Sequence, residues 1–171
     1  MTSGTLKTRA IGTALALALG LVAASTASGE SSGWRGRTLE GTWYIQVTIR
    51  VCATGMPVPG TQPVNSLVTF APGGTLAESV GGGGFAPGQR SPGHGSWHHE
   101  RGQTFSQKFT ALINFASPGP PPVEAGWQTV THTVHLIDRD NLESSGTNAF
   151  YRSDGSVYRT GCSTAIGMRF E

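Results

Sequence analysis

The chain of 171 residues is long enough for one domain. Its 12 Lys and Arg against 10 Asp and Glu give a formal net charge of +2, with no basic stripe that would favour a nucleic acid as partner. The same weak charge offers no strong attraction to an anionic membrane surface.

The N-terminal residues have the three-part pattern of a secretory signal peptide. Lys7 and Arg9 form a short basic segment, residues 10–24 are apolar and rich in Ala and Leu, and small residues such as Ala27 follow. The apolar run is shorter than the roughly 20 residues that span a bilayer, so no membrane span is expected once the signal is removed. We therefore predict a signal peptide over residues 1–27, and a secreted or periplasmic protein.

The rest of the chain carries strand signals and no window with a helical period of 3.6 residues. Residues 28–38, rich in Gly and Ser, are predicted to be a flexible lead-in, and residues 39–171 to form the folded domain. Eight strands are predicted, over residues 41–52, 66–70, 75–80, 93–99, 103–115, 126–138, 141–152 and 156–170.

The connections between these strands alternate in length. The second-to-third, fourth-to-fifth and sixth-to-seventh links are tight turns rich in Gly, Pro and Asp. The first-to-second, third-to-fourth and fifth-to-sixth links are long. In an up-and-down meander alternate connections fall at opposite ends, so the long loops share one end. This pattern predicts an all-β fold, an eight-stranded antiparallel up-and-down β-barrel closed by pairing of strands 1 and 8. A two-sheet sandwich of the same strands is the alternative.

The two cysteines, Cys52 and Cys162, are predicted to form one disulfide, because an exported chain matures in an oxidising compartment. Two buried free thiols are the alternative. Neither cysteine has a second cysteine at ligand spacing, so no zinc site is predicted. No other metal and no cofactor is predicted.

The tripeptide Gly41-Thr42-Trp43 at the start of the first strand resembles the Gly-x-Trp signature of the calycin superfamily, which includes lipocalins, fatty-acid-binding proteins and avidins. The resemblance implies that Trp43 packs at the closed end of the barrel under an Arg from the last strand, for which Arg169 is the candidate. The register supports this pairing. In an antiparallel alignment of the first and last strands, the register that pairs Trp43 with Arg169 is only two residues away from the one that pairs Cys52 with Cys162. No C-terminal helix is expected, and exported bacterial barrels without that helix and allene-oxide-cyclase-like barrels are the closer architectural relatives.

An inward-facing Trp43 determines the facing of the first strand, and the same alternation is applied to the others. The predicted interior is mostly apolar and aromatic, typical of a pocket for small hydrophobic molecules, although a filled core is the alternative. Val51 and Phe115 are also expected inside, at the strand ends. The predicted ligand-binding residues are Val47, Ile49, Phe105, Phe109, Ile113, His132, Val134, Asn148 and Phe150.

Glu78 and His132 are the candidate catalytic residues, because a carboxylate and an imidazole in an apolar cavity could do acid–base work. The three histidines of the fourth strand do not predict a metal site. His98 and His99 point to opposite faces, and His94 lies roughly 13 Å from His98 along a strand, which is too far for one ion.

We expect an exported barrel that holds a small, largely apolar molecule under the loops around residues 56–57, 81–85 and 118–122. One alternative is a cyclase or isomerase that acts on an apolar substrate inside the barrel. Another is a structural envelope protein that forms a homodimer or larger oligomer through outward-facing Ile166, Met168 and Phe170.

Overall fold

The computed structural model describes residues 38–82, 84–119 and 121–170. The predicted signal peptide over 1–27 and residues 28–37 of the predicted lead-in lie outside the described residues. Eight strands form one closed antiparallel barrel in which each strand pairs with its sequence neighbours. The strands are β1 (Gly41–Arg50), β2 (Val64–Ala71), β3 (Thr75–Gly81), β4 (Gly93–Arg101), β5 (Thr104–Ile113), β6 (Gly126–Leu136), β7 (Asn141–Arg152) and β8 (Val157–Arg169).

This architecture confirms the predicted fold class, including the pairing of the first strand with the last. Within the described ranges there is no helix, and so none with the length and apolarity needed to cross a membrane. Closure leaves no strand with an unpaired edge, because the backbone groups of β1 that face away from β2 bond to β8.

The seam between β1 and β8 runs from Trp43 opposite Arg169 to Arg50 opposite Cys162. Cys52 and Cys162 form the predicted disulfide, with their Cα atoms 5.1 Å apart, just beyond the end of this ladder. The bond closes a loop of 110 residues, for which the chain-entropy estimate is on the order of 4 to 5 kcal/mol of stabilisation.

The opposite end of the seam is held by Arg169 and Trp43. The guanidinium carbon of Arg169 lies 4.3 Å from the centroid of the Trp43 ring, a cation–π contact. Arg169 also donates hydrogen bonds to the backbone carbonyls of Thr38, Glu40 and Arg139. One arginine therefore joins the segment before β1 and the β6–β7 turn to the last strand.

Large side chains plug this end of the barrel. Trp43 is fully buried and its indole Nε1 donates to the carbonyl of Leu39 at 2.9 Å. Trp97 packs edge-on against Phe70 and Phe105, with ring centroids 6.2 and 5.8 Å apart. The buried plug consists of Leu39, Trp43, Phe70, Leu76, Trp97, Phe105, Leu136 and Leu142.

Two residues that alternation places inside the barrel lie outside it. Val51 is exposed because β1 ends at Arg50 and a turn follows, in which the amide of Gly55 donates to the carbonyl of Val51. Phe115 is exposed because β5 ends at Ile113, and the next amide bonds to a carbonyl of the β3–β4 loop instead of a barrel strand. Both predictions of an inward side chain were wrong.

Ile166, Met168 and Phe170 are exposed on the outer face, as the alternation of the last strand predicts. The homodimer through this face stays a prediction.

Replacing Gly41 by Ala is expected to destabilise the barrel, because Gly41 has φ of 123° and a Cβ there would lie 2.6 Å from Nη1 of Arg169. The expected loss is about 1–3 kcal/mol in the free energy of unfolding, measured by urea denaturation. Gly55→Ala is the matched control, since Gly55 has φ of 70° with open space around its Cβ position. Equal losses for the two variants would show that Arg169 does not constrain Gly41.

Candidate ligand-binding cavity

A cavity of about 600 Å³ occupies the barrel beyond the plug and opens at the end with the long loops. The plug fills the other half, which contains the buried Trp43 and Trp97, whereas no tryptophan of the described residues lines the cavity. The apolar part of its wall consists of Ile45, Val47, Ile49, Val58, Val64, Val68, Phe70, Val80, Phe85, Phe109, Val123, Val130, Val134, Leu142, Phe150 and Ala165.

All three long loops contribute to the mouth of this cavity. Phe85 comes from the β3–β4 loop, Pro118 from the β5–β6 loop and Thr61 from the β1–β2 loop. Met56, in the β1–β2 loop, is 64% exposed and does not line the cavity. The residues of this loop that line the cavity are Val58 and Thr61, not residues 56–57 as predicted.

Seven of the nine predicted ligand-binding residues lie on the cavity wall. The other two are buried elsewhere: Phe105 packs in the plug against Trp97, and Ile113 lies at the mouth end of β5, where it bridges to Arg90. Their ligand-binding roles stay predictions. The residues that the structure brings together are Val47, Ile49, Phe109, His132, Val134, Asn148 and Phe150.

Glu78 faces the cavity and is held in a buried ion pair. Its carboxylate accepts a hydrogen bond of 2.8 Å from Arg90, and the two side chains are only 6% and 4% exposed. Arg90 also donates to the side-chain carbonyl of Gln128 at 2.8 Å, and Ser66 donates to Glu78 at 3.3 Å. Removing one partner of such a pair leaves an uncompensated buried charge, so the pair fixes the β3–β4 loop to the barrel wall.

His132 lies on the same wall between two serine hydroxyls. Its Nδ1 is 3.0 Å from Oγ of Ser144 and its Nε2 is 2.9 Å from Oγ of Ser163. Burial lowers the pKa of His132 from 6.5 to about 4, so the imidazole is neutral at pH 7. A neutral imidazole carries one N–H, so one serine accepts from it and the other donates to it.

The two candidate catalytic residues therefore share the cavity but have separate partners. In the part of the chain that the structure describes, no hydrogen bond joins Glu78 to His132. Glu78 is neutralised by Arg90 and His132 is a weak base, so the geometry supports hydrogen bonding to a ligand more directly than proton transfer.

Two buried polar atoms of the cavity wall have no hydrogen-bond partner. They are Oε1 of Gln107 and Nε of Arg159, and no other buried side-chain nitrogen or oxygen in the described ranges is left unpaired. Such atoms are rare in folded proteins and each costs about 1–3 kcal/mol when it is left without a partner. Both atoms are therefore sites where the packing of the wall costs stability.

Sequence reasoning missed several polar residues of the wall. Gln107, Gln128, Ser163 and Arg159 have the same strand parity as inward residues that were identified, so alternation alone could have found them. Arg90 lies in a loop, where no periodicity indicates which way a side chain points.

Comparison with known proteins finds no similar family model, no similar curated protein and no similar solved structure. The eight-stranded antiparallel barrel is compatible with the resemblance to the calycin superfamily, and membership of that superfamily stays a prediction.

The low pKa of His132 predicts a stability that falls with acid. The folded pKa lies below the unfolded value, so the unfolded chain binds more protons, and stability present above pH 6.5 is lost as pH falls towards 4. The expected contribution is about 3 kcal/mol between pH 7 and pH 4. Urea denaturation across this range checks it, with His132→Gln as the variant without the titrating group. Parallel pH profiles for both proteins would contradict the assignment.

Replacing Gln107 by Met is expected to leave stability unchanged or raise it by about 1 kcal/mol, because an unpaired buried acceptor is removed. The same substitution at Gln89 is the matched control. Gln89 is buried as well, but its side chain accepts from the amide of Ala86 and donates to Phe115 and Ser117. Gln89→Met should therefore cost about 1–3 kcal/mol in thermal or urea unfolding. A loss of that size at Gln107 would show that its oxygen is satisfied within the protein.

Proposed function

We propose that this protein is an exported, calycin-like barrel that binds a small, largely apolar molecule in its cavity. The observation that carries the proposal is a cavity of about 600 Å³ with an aliphatic and aromatic wall, open at one end only. Small-molecule sites commonly measure about 300–1,000 Å³ and combine an apolar lining with a few placed polar groups.

The plug supports a single route of entry. Trp43, Phe70 and Trp97 fill the closed end, so a ligand enters between the long loops and buries its apolar surface against the strands. Burial of apolar surface contributes about 25 cal/mol per Å², which favours a ligand that fills the cavity. Polar residues of the wall, among them Asn148 and Arg159, add directional contacts to that binding.

Export is supported by the Cys52–Cys162 disulfide, since such bonds persist in oxidising compartments. The N-terminal pattern over residues 1–27 supports it independently, although those residues lie outside the described part of the chain.

A cyclase or isomerase is the second candidate function, because Glu78 and His132 both lie on the cavity wall. Such enzymes act largely by holding a reactive apolar substrate in a shaped site. Small apolar candidate substrates incubated with the protein and with His132→Gln would test it. Turnover that survives this substitution would remove the histidine from the reaction.

Binding of the neutral apolar fluorophore N-phenylnaphthylamine tests the proposed function. We expect saturable fluorescence enhancement at one site per chain, lost in Val130→Trp, because Val130 lines the cavity and an indole there occupies the ligand's space. Thr131→Trp is the matched control, since its side chain is exposed on the outer face of the same strand. Absence of saturable binding by the wild-type protein, or equal binding by both variants, would contradict the proposal.

A further inference from the structure

Arg159 lies on the cavity wall near the mouth, where it faces the ligand space proposed above. It is paired with Phe150 across the β7–β8 ladder, and its guanidinium carbon lies 3.8 Å from the centroid of the Phe150 ring. A β-bulge directly precedes it, where Tyr151 pairs with Val157 and Tyr158 is left as the extra residue. The bulge determines which side chains of β8 point inward, and Arg159 is the first of them.

Three other arginines of the barrel have partners within the protein. Arg90 bonds to Glu78, and Arg152 to Glu124. Arg169 bonds to three backbone carbonyls. By contrast, within residues 38–82, 84–119 and 121–170 Arg159 has no salt bridge and no hydrogen bond, and its Nε is buried without a partner.

The charges of the cavity wall leave one positive charge unbalanced. Among the described residues that line it, the ionisable groups are Glu78, Arg90, His132 and Arg159. Glu78 and Arg90 neutralise each other, and burial keeps His132 neutral at pH 7. Arg159 stays protonated, since arginine side chains keep their proton in proteins.

We propose that the ligand is an apolar organic anion whose anionic group binds Arg159 at the mouth while its apolar body lies against the strands beneath. This inference rests on the proposed binding function and names the chemical class of the ligand. The planar guanidinium presents a fork of N–H donors that suits a carboxylate or sulfonate, and the Phe150 ring holds its plane in place.

The position of Arg159 explains why an anionic ligand would bind more tightly than an uncharged one. The Arg159 side chain is partly buried, so an anionic partner there gains a charge-assisted hydrogen bond with less competition from solvent than on the open surface. An uncharged ligand leaves the positive charge of Arg159 unbalanced, whereas an anion neutralises it.

Two probes with the same aromatic skeleton test the inference, anilinonaphthalene sulfonate and its neutral counterpart N-phenylnaphthylamine. In Arg159→Met we expect the affinity for the sulfonate to fall at least about tenfold. The affinity for the neutral probe should change less than about threefold, because Met keeps the packing on Phe150. Arg50→Met is the matched control, since Arg50 lies outside the cavity and bonds to Thr164, and it should change neither affinity.

The outcomes separate the inference from the proposed function. Saturable binding of the neutral probe with no selective loss of the sulfonate in Arg159→Met overturns the inference and leaves the binding function standing. Saturable binding of neither probe to the wild-type protein overturns both. Near-ultraviolet circular dichroism of each variant confirms that the native packing is retained, so that a loss of affinity is assigned to the lost charge.

Discussion

The cation–π contact between Arg169 and Trp43 is the interaction on which the rest of this structure depends. It joins the first and last strands at one end, and the hydrogen bonds from Arg169 to the carbonyls of Thr38 and Glu40 fix the chain as it enters β1. Gly41 lies directly beneath, where any larger residue would displace the guanidinium. Because this end is sealed by arginine and indole, the cavity can open only at the other end.

The polar groups inside the barrel are of two kinds: some are paired within the protein and stabilise it, and others are available to a ligand. Glu78 with Arg90, and His132 with its two serines, are satisfied within the protein, and such pairs stabilise a fixed wall. Arg159 also lines the cavity, but no side chain of the described residues balances its charge, so it can pair with a group that enters the cavity. Because burial keeps His132 neutral at pH 7, Arg159 carries the unbalanced charge among the described residues that line the cavity.

Strand alternation and loop lengths were enough to predict the barrel and its closure, because both follow from local patterns. The Cys52–Cys162 bond was predicted on other grounds, since the chain has only two cysteines and an N-terminal export pattern. Alternation failed at Val51 and Phe115, where turns end the strands earlier than the apolar pattern does. The contact of Arg90 with Glu78 was beyond prediction, since it depends on how a loop folds back over the wall. Alternation along β5 places Gln107 on the inner face, but a polar amide side chain is ordinarily expected to face solvent.

The seam between β3 and β4 has only four paired positions, from Thr75 opposite Ser96 to Glu78 opposite Gly93, whereas the β1–β8 seam has eight. The β1–β8 seam is fastened at both ends, by Arg169 and by the disulfide, so it resists fraying. The short seam has no such covalent fastening, and its last backbone pair is the one that contains Glu78. Beyond that pair no backbone pairing of the described residues joins β3 to β4, and the ion pair between Glu78 and Arg90 takes its place. This side-chain contact therefore keeps β3 and β4 together at the open end of the barrel.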